Sequence, residues 1–130
     1  MHYLDNASTT RPCEEAIAAA TLAMQTHFGN PSSLHGLGRD AEKLMETARD
    51  EVCALINASP MELFFTSGGT EADNWAIFSA AEMMRHKGKH IITTAVEHDA
   101  VLAACKKLES AGYEVSYLTP GKDGKVSVQA

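Results

Sequence analysis

Apolar residues in the first half of the chain recur at the spacing of two amphipathic helices. The first stripe covers residues 13–24 and predicts a helix with Pro12 in its first turn. That helix should end near Phe28, because residues 29–33 are dense in glycine, asparagine, proline and serine. The second stripe covers residues 37–55, with most charged side chains off it. It predicts a long surface helix with one buried face.

The second half alternates short apolar runs with helical patterns. The runs at residues 63–65, 91–94 and 113–118 predict strands, and the segments between them predict helices over about 70–85 and 99–110. Such alternation is typical of an α/β fold built from βαβαβ units on a parallel sheet. Ligands of these sheets bind outside the carboxyl ends of the strands. The residues that follow each strand are therefore the candidates for chemistry.

The α/β pattern has a recognisable start and an open end. Residues 59–62 have the spacing of a capping box, directly before the first apolar run. Val126 and Val128 begin a further alternating segment where the sequence stops, which predicts a truncated domain. We expect residues 1–58 to form an N-terminal helical segment and residues 59–130 to begin a larger α/β domain.

The turn after the first predicted strand is a candidate phosphate site. Glycines let the backbone approach an anion, and the start of a helix offers unpaired N–H groups at the positive end of its dipole. The N–H groups of Gly68, Gly69 and Thr70 and the Thr70 hydroxyl are the candidate donors, with Thr70 also as the helix cap. An ordinary strand-to-helix turn explains the motif equally well. It lacks the Gly-Lys-Ser/Thr ending of a nucleoside-triphosphate loop.

His98 follows Glu97 at the end of the next predicted strand and precedes a helix. An imidazole in this position can stack on a flat aromatic cofactor or transfer a proton. Taken alone, it is better interpreted as an exposed residue in the first helical turn. Because the neighbouring strand ends in the glycine turn, the pair together favours the functional interpretation.

Charge and cysteine content exclude several classes of function. A formal net charge of -6, with no cluster of basic residues, argues against a nucleic-acid partner. No apolar stretch is long enough for a membrane span or a secretory leader, which predicts a cytoplasmic protein. Cys13, Cys53 and Cys105 fall on apolar helical faces and are expected to be buried thiols. His86 and His90 end a helix with Gly88 between them, so we expect no metal site.

Four ordered motifs resemble the start of cysteine desulfurases, enzymes of the class V aminotransferase group similar to the bacterial NifS and IscS proteins. The motifs are residues 3–10, 28–36, 65–74 and 97–101. The resemblance implies the N-terminal part of a fold type I transferase that uses pyridoxal 5'-phosphate. It further implies that residues 1–58 belong partly to the small domain and that residues 59–130 begin the large cofactor-binding domain.

The resemblance also implies roles for particular residues. Gly69 and Thr70 would bind the cofactor phosphate, and His98 would stack on the pyridine ring as a catalytic residue. The loop of residues 30–32 would lie near the active site and a dimer contact. Four further residues would line the substrate entrance: Asn6, Ala7, Ser8 and Thr9.

The parent reaction would convert L-cysteine to L-alanine and pass sulfur, as an enzyme persulfide, to an acceptor protein such as an iron–sulfur scaffold. Members of the family are longer, homodimeric enzymes, and this sequence lacks their Schiff-base lysine, pyridine-pairing aspartate and loop cysteine. The 130-residue chain alone is therefore expected to be inactive. Two alternatives stay open: another class V enzyme, such as a selenocysteine lyase or an aminotransferase, and a non-catalytic binding or scaffold module of the same fold.

Overall fold

The chain divides into two compact units, Met1–Phe64 and Phe65–Ala130. The structure is a computed structural model, and it describes residues 2–127. The division falls after residue 64, not after residue 58 as predicted, because residues 59–64 pack with the helix that precedes them. The assignment of the two parts to a small domain and a large cofactor-binding domain stays a prediction.

The first unit contains two helices, α1 (Glu14–Thr26) and α2 (Gly36–Ile56), and a 3₁₀ turn at Pro60–Glu62. Both helices are confirmed, although α1 begins after Pro12 instead of including it. The residue before α1, Cys13, is exposed, which contradicts the prediction of a buried thiol. No residue of α1 is buried, so the face on which Cys13 was placed covers no core.

Side chains of α2 hold the segment that follows it. The predicted capping box is present, because the Ser59 amide donates to a carboxylate oxygen of Glu62 at 2.8 Å. The buried thiol of Cys53 lies 3.4 Å from the carbonyl oxygen of Ser59. The guanidinium of Arg49 donates to the carbonyl oxygen of Leu63. These contacts explain why residues 59–64 belong to the first unit.

The second unit is an α/β arrangement in the order α3 (Gly69–Met84), β1 (His90–Thr94), α4 (Asp99–Ser110) and β2 (Glu114–Leu118). The two strands are parallel and paired in register from His90 opposite Glu114 to Thr94 opposite Leu118. The α/β fold with parallel strands is therefore confirmed. The connection through α4 brings the carboxyl ends of both strands to the same edge.

The first predicted strand, residues 63–65, is not a strand in the structure. Leu63 has extended backbone angles, with φ −106° and ψ 126°. Within residues 2–127 the sheet contains only β1 and β2. A strand depends on hydrogen bonds to a neighbouring strand, and the carbonyl of Leu63 accepts from Arg49 instead. The predicted segment at 126–128 falls partly outside the described residues, since Val128 is not described.

The core of the second unit is small and centres on one face of α4. Its buried residues are Ala100, Ala104, Cys105 and Leu108, and the helix packs against α3 and β2. Burial raises the pKa of the Cys105 thiol, which keeps it protonated at neutral pH. Near the C-terminal end of α3, the Tyr113 hydroxyl, which lies just before β2, donates to the carbonyl oxygen of Ala81 at 2.9 Å and fixes the last turns of the helix.

We expect the isolated 130-residue chain to self-associate. Several apolar side chains of α3 are largely exposed, with Met83 at 74%, Trp75 at 49% and Met84 at 47%. Large exposed apolar patches mark interaction surfaces or aggregation sites. Light scattering after size-exclusion chromatography should therefore give a mass above the 14.0 kDa of one chain. A monomeric mass across a wide concentration range would contradict this prediction.

Candidate functional site

The start of α3 is an open helix end. Gly68 precedes the helix with extended backbone and no side-chain cap. The first helical hydrogen bond runs from the Ala72 amide to the Gly68 carbonyl at 3.1 Å. The amides of Gly69, Thr70 and Glu71 therefore have no acceptor within the helix, and no described residue supplies one. Three N–H groups at the positive end of a sixteen-residue helix are donors of the kind that can bind an anion.

The glycines of this turn leave space at the surface. A Cβ added at Gly68 or at Gly69 would meet nothing within 4 Å, so the packing of the second unit does not require glycine at either position. Both residues are exposed, as is Thr70. Small residues here permit close approach by a ligand from outside.

Thr70 does not cap the helix, which corrects the sequence prediction. The helix begins one residue earlier than Thr70, at Gly69, so Thr70 is the second helical residue and its hydroxyl cannot occupy the cap position. Within residues 2–127 that hydroxyl has no hydrogen-bond partner. It is therefore available, with the three amides, as a donor to an anion.

A carboxylate closes the other side of the turn. One oxygen of Glu71 accepts from both the amide and the hydroxyl of Ser67, each at 2.7 Å. The hydroxyl of Thr66 donates to the Gly68 carbonyl at 3.1 Å. These bonds fix the turn before any ligand arrives, and they occupy both donors of Ser67. The donors that remain for an anion are those of Gly69 and Thr70 and the amide of Glu71.

The Ser67–Glu71 contact should weaken in acid. The backbone and side-chain hydrogen bonds from Ser67 hold the pKa of Glu71 below its ordinary value of 4.5. A depressed carboxyl pKa stabilises the fold fully above the unfolded value, and that contribution is lost as pH falls through the folded value. In an NMR titration, the Ser67 amide resonance should move with the Glu71 carboxyl carbon, with a midpoint below 4.5. E71Q should abolish this transition; a midpoint at or above 4.5 would contradict the contact.

His98 lies immediately before α4 as its N-cap, with its side chain exposed. Its Nδ1 accepts a hydrogen bond from the Ala100 amide at 3.1 Å. An accepting Nδ1 carries no proton in this contact, which leaves Nε2 as the nitrogen that faces away from the Ala100 amide. The ring is thus held at one nitrogen and remains accessible to a ligand.

The structure brings the glycine turn and His98 to neighbouring helix starts. The Asn74 side chain on α3 donates to the Thr70 carbonyl at 2.8 Å and lies 3.5 Å from the Ala100 carbonyl on α4. The sequence prediction that these two segments open on the same side is supported by this contact. The binding and catalytic roles of Gly69, Thr70 and His98 stay predictions.

A cleft of about 430 Å³ lies beside these helix starts, at the carboxyl ends of the two strands. Its walls include the carboxyl-bearing side chains of Asp73 and Glu97, and Glu97 accepts from the Thr94 hydroxyl at 2.8 Å. Neither glycine of the turn nor His98 lines it. Two carboxylates disfavour a phosphate in this cleft. At the open end of α3, the carboxylate of Glu71 is instead hydrogen-bonded to Ser67, so that end suits an anion better. A second cavity, of about 330 Å³, lies at the opposite ends of the strands near His90 and Tyr113.

The predicted entrance residues Asn6, Ala7, Ser8 and Thr9 form an exposed turn in the first unit. The Ser8 amide donates to the Asp5 carbonyl at 3.1 Å, and the Thr10 hydroxyl donates to the Asn6 carbonyl at 3.4 Å. Their role at a substrate entrance stays a prediction.

Across residues 2–127, no group of three or more His, Cys, Asp or Glu side chains could hold a metal ion. In the same residues, no helix is both long and apolar enough to cross a membrane.

Two residues of the site were missed in the sequence. Glu71 is the third residue of α3, the position from which glutamate reaches back to a preceding N–H in a capping box. Asn74 follows Thr70 by one helical turn, which places its side chain within reach of the Thr70 carbonyl. The role of Glu71 could have been predicted from the sequence if the helix start had been placed at Gly69. The second partner of Asn74 depends on the packing of α4 and has no local signal.

Comparison with known proteins gives the family. The model of the family described as Aminotransferase class-V matches residues 2–130. Cysteine desulfurase IscS of Methanosarcina thermophila is 46% identical over 125 residues, which cover 96% of this chain and 31% of that protein. The structure of a NifS-like protein matches with a TM-score of 0.86 and 38% identity, covering 96% of this chain and 34% of that one.

A further solved structure was determined with an amino acid bound. SspA in complex with cysteine matches with a TM-score of 0.85 and 33% identity, over 99% of this chain and 37% of that one. The chain spans about a third of the length of the relatives that it matches. Since the family model covers nearly every residue, the chain belongs to the class V aminotransferase family.

Proposed function

We propose that this chain is the N-terminal portion of a cysteine desulfurase and contributes half of its cofactor site. The observation that carries the proposal is the open start of α3, with three amides and the Thr70 hydroxyl free among the described residues and His98 at the neighbouring helix start. The names of the similar proteins support the same activity. Substrate, acceptor and catalytic roles are all part of this proposal.

Pyridoxal 5'-phosphate is the cofactor of class V aminotransferases, and the residues present fit it. Its phosphate is a dianion that suits the amides of Gly69, Thr70 and Glu71. The imidazole of His98 is exposed and held at Nδ1, which suits contact with a flat ring. When bound, the cofactor supplies an electron sink for the amino-acid substrate. The residues of this chain bind its phosphate and orient its ring.

The proposed substrate is L-cysteine, and SspA, one of the similar proteins, has a structure in complex with cysteine. The carbon–sulfur bond of the substrate breaks, sulfur passes to a cysteine thiolate as a persulfide, and alanine leaves. Cys53 and Cys105 are buried in this chain and unsuited to that transfer, and Cys13, which is exposed, matches no catalytic position of the family that the sequence resembles. We therefore propose that the 130 residues alone do not turn over cysteine. An iron–sulfur scaffold as sulfur acceptor, a homodimer and a cytoplasmic location complete the proposal.

The test is cofactor binding followed by product analysis on the intact protein. Equilibrium dialysis should give saturable binding of pyridoxal phosphate that inorganic phosphate competes away, since the phosphate group is the anchor. With L-cysteine and a thiol reductant that releases the persulfide sulfur as sulfide, the loaded parent protein should form alanine and sulfide in equal amounts. Binding without desulfuration of cysteine, but with turnover of selenocysteine or transfer of an amino group, would establish another class V activity. Absence of any binding would leave a module of the same fold without this chemistry and overturn the proposal.

A further inference from the structure

We propose that Asn74 is a positioning residue that couples the anion-binding start of α3 to His98 at the start of α4. The inference rests on the proposed function, because it concerns how this chain presents two groups to one cofactor. The link is a single side-chain nitrogen. It lies 2.8 Å from the carbonyl oxygen of Thr70 and 3.5 Å from the carbonyl oxygen of Ala100, which is 26 residues away in the sequence.

The chemistry of the two partners fixes the orientation of the Asn74 amide. Both Thr70 and Ala100 present carbonyl oxygens, which accept hydrogen bonds and cannot donate them. Only the NH₂ group of Asn74 can face them, and its two hydrogens allow one bond to each. The contact to Thr70 is short and the contact to Ala100 is at the long limit, so the link closes fully with a small approach of the two helices.

Ala100 connects this link to the imidazole. Its amide donates to Nδ1 of His98 at 3.1 Å, while its carbonyl faces Asn74. Ala100 itself is only 7% exposed and lies in the packed face of α4, so it cannot move independently of that helix. A shift of Asn74 relative to Ala100 therefore shifts the ring of His98 relative to the amides of α3.

The distance between the two helix starts matters for a ligand that touches both. A phosphate on Gly69 and Thr70 and a ring against His98 belong to one rigid molecule, so the protein must hold both contacts at one separation. Groups preset in the binding geometry lose less entropy when the ligand arrives. Within the described residues, Asn74 donates one side-chain hydrogen bond from α3 to α4 at this point, to the Ala100 carbonyl, while its bond to the Thr70 carbonyl lies within α3.

The test compares three variants of the intact protein. N74L keeps approximate size and removes the donor, and N74D keeps the shape but turns a donor into a carboxylate facing two carbonyls. Y113F is the matched control, because it removes the hydrogen bond from the Tyr113 hydroxyl to the Ala81 carbonyl near the opposite end of α3. Equilibrium dialysis gives the dissociation constant for pyridoxal phosphate, and NMR gives the His98 ring resonances of the cofactor-free protein.

N74L should raise the dissociation constant by about tenfold, the size expected for loss of hydrogen bonds in a preset site, and N74D should raise it further. Both should shift the His98 resonances, whereas Y113F should change neither readout. In the H98A background, N74L should cost much less affinity, because its effect passes through the imidazole. A general loss of stability would instead weaken binding equally in both backgrounds.

The outcomes separate the two proposals. If the wild-type protein binds pyridoxal phosphate and N74L binds equally well, the coupling role of Asn74 is overturned and the proposed function stands. If N74L and Y113F weaken binding alike, Asn74 contributes only to stability and the inference is also overturned. If the wild-type protein does not bind the cofactor, the proposed function fails and the inference fails with it.

Discussion

Replacing Thr70 with aspartate raises the dissociation constant of the intact protein for pyridoxal phosphate by about a hundredfold or more, because like charges at a binding site cost several kcal/mol. The aspartate carboxylate would lie beside the amides of Gly69 and Glu71 and take the place of the anion. T70V, which removes only the hydroxyl, should weaken binding by roughly tenfold, as loss of a hydrogen bond to a charged group does. Equilibrium dialysis at constant ionic strength measures both.

Two further variants make the Thr70 result specific. T70S keeps a hydroxyl at the same position and should bind almost as well as the wild type. T47V removes a hydroxyl that bonds only to the Lys43 carbonyl within α2, and it should leave cofactor affinity unchanged. If T70D bound the cofactor as tightly as the wild type, the phosphate would not lie at the start of α3.

Replacing Gly38 with alanine lowers the free energy of unfolding of the first unit by about 3 kcal/mol, the upper part of the range for overpacking. A Cβ at Gly38 would lie 2.8 Å from the Asn30 carbonyl oxygen and closer still to the carbonyl oxygen of Ser33. Both atoms belong to the backbone, so no side chain can rotate away. A Cβ at Gly29 would likewise meet the Leu37 carbonyl. Urea denaturation followed by circular dichroism measures the loss.

The matched control is Gly36, the first residue of the same helix. A Cβ there meets nothing within 4 Å, so G36A should leave stability unchanged or raise it by about 0.5 kcal/mol through the unfolded chain. The contrast between G38A and G36A isolates the close contact from the general effect of replacing glycine in a helix. Equal stabilities for the two variants would show that the loop of residues 29–35 does not pack against α2 as described.

The close approach of backbone atoms at Gly29 and Gly38 explains why the motif of residues 28–36 was easy to recognise but hard to interpret. The sequence shows a cluster of glycine, asparagine, proline and serine, which predicts only a break between helices. The structure shows that this loop turns back on the first turns of α2, with the Asn30 side chain accepting from the Ser32 amide at 2.9 Å. Which glycine is needed for space, and which is not, depends on that approach.

The sequence alone determined the elements whose signals are local. Apolar periodicity predicted α1, α2, α3 and α4, because a helix repeats every few residues whatever it packs against. The alternation of β1 and β2 with helices predicted parallel strands, since each crossover returns the chain in the same direction. The glycine turn and His98 were found for the same reason: each directly precedes a helix start, and the order of elements along the chain places those starts together.

Only the tertiary structure decided the details that depend on distant neighbours. Residues 63–65 are as apolar as a buried strand, yet they form none. The Leu63 carbonyl instead accepts a hydrogen bond from the guanidinium of Arg49, 14 residues earlier. The side chain of Asn74 faces Ala100 because α3 packs on α4. Hydrophobic spacing fixes which face of a helix turns inward. It does not fix the rotation and depth at which two helices meet, and these decide which polar atoms come within hydrogen-bond distance.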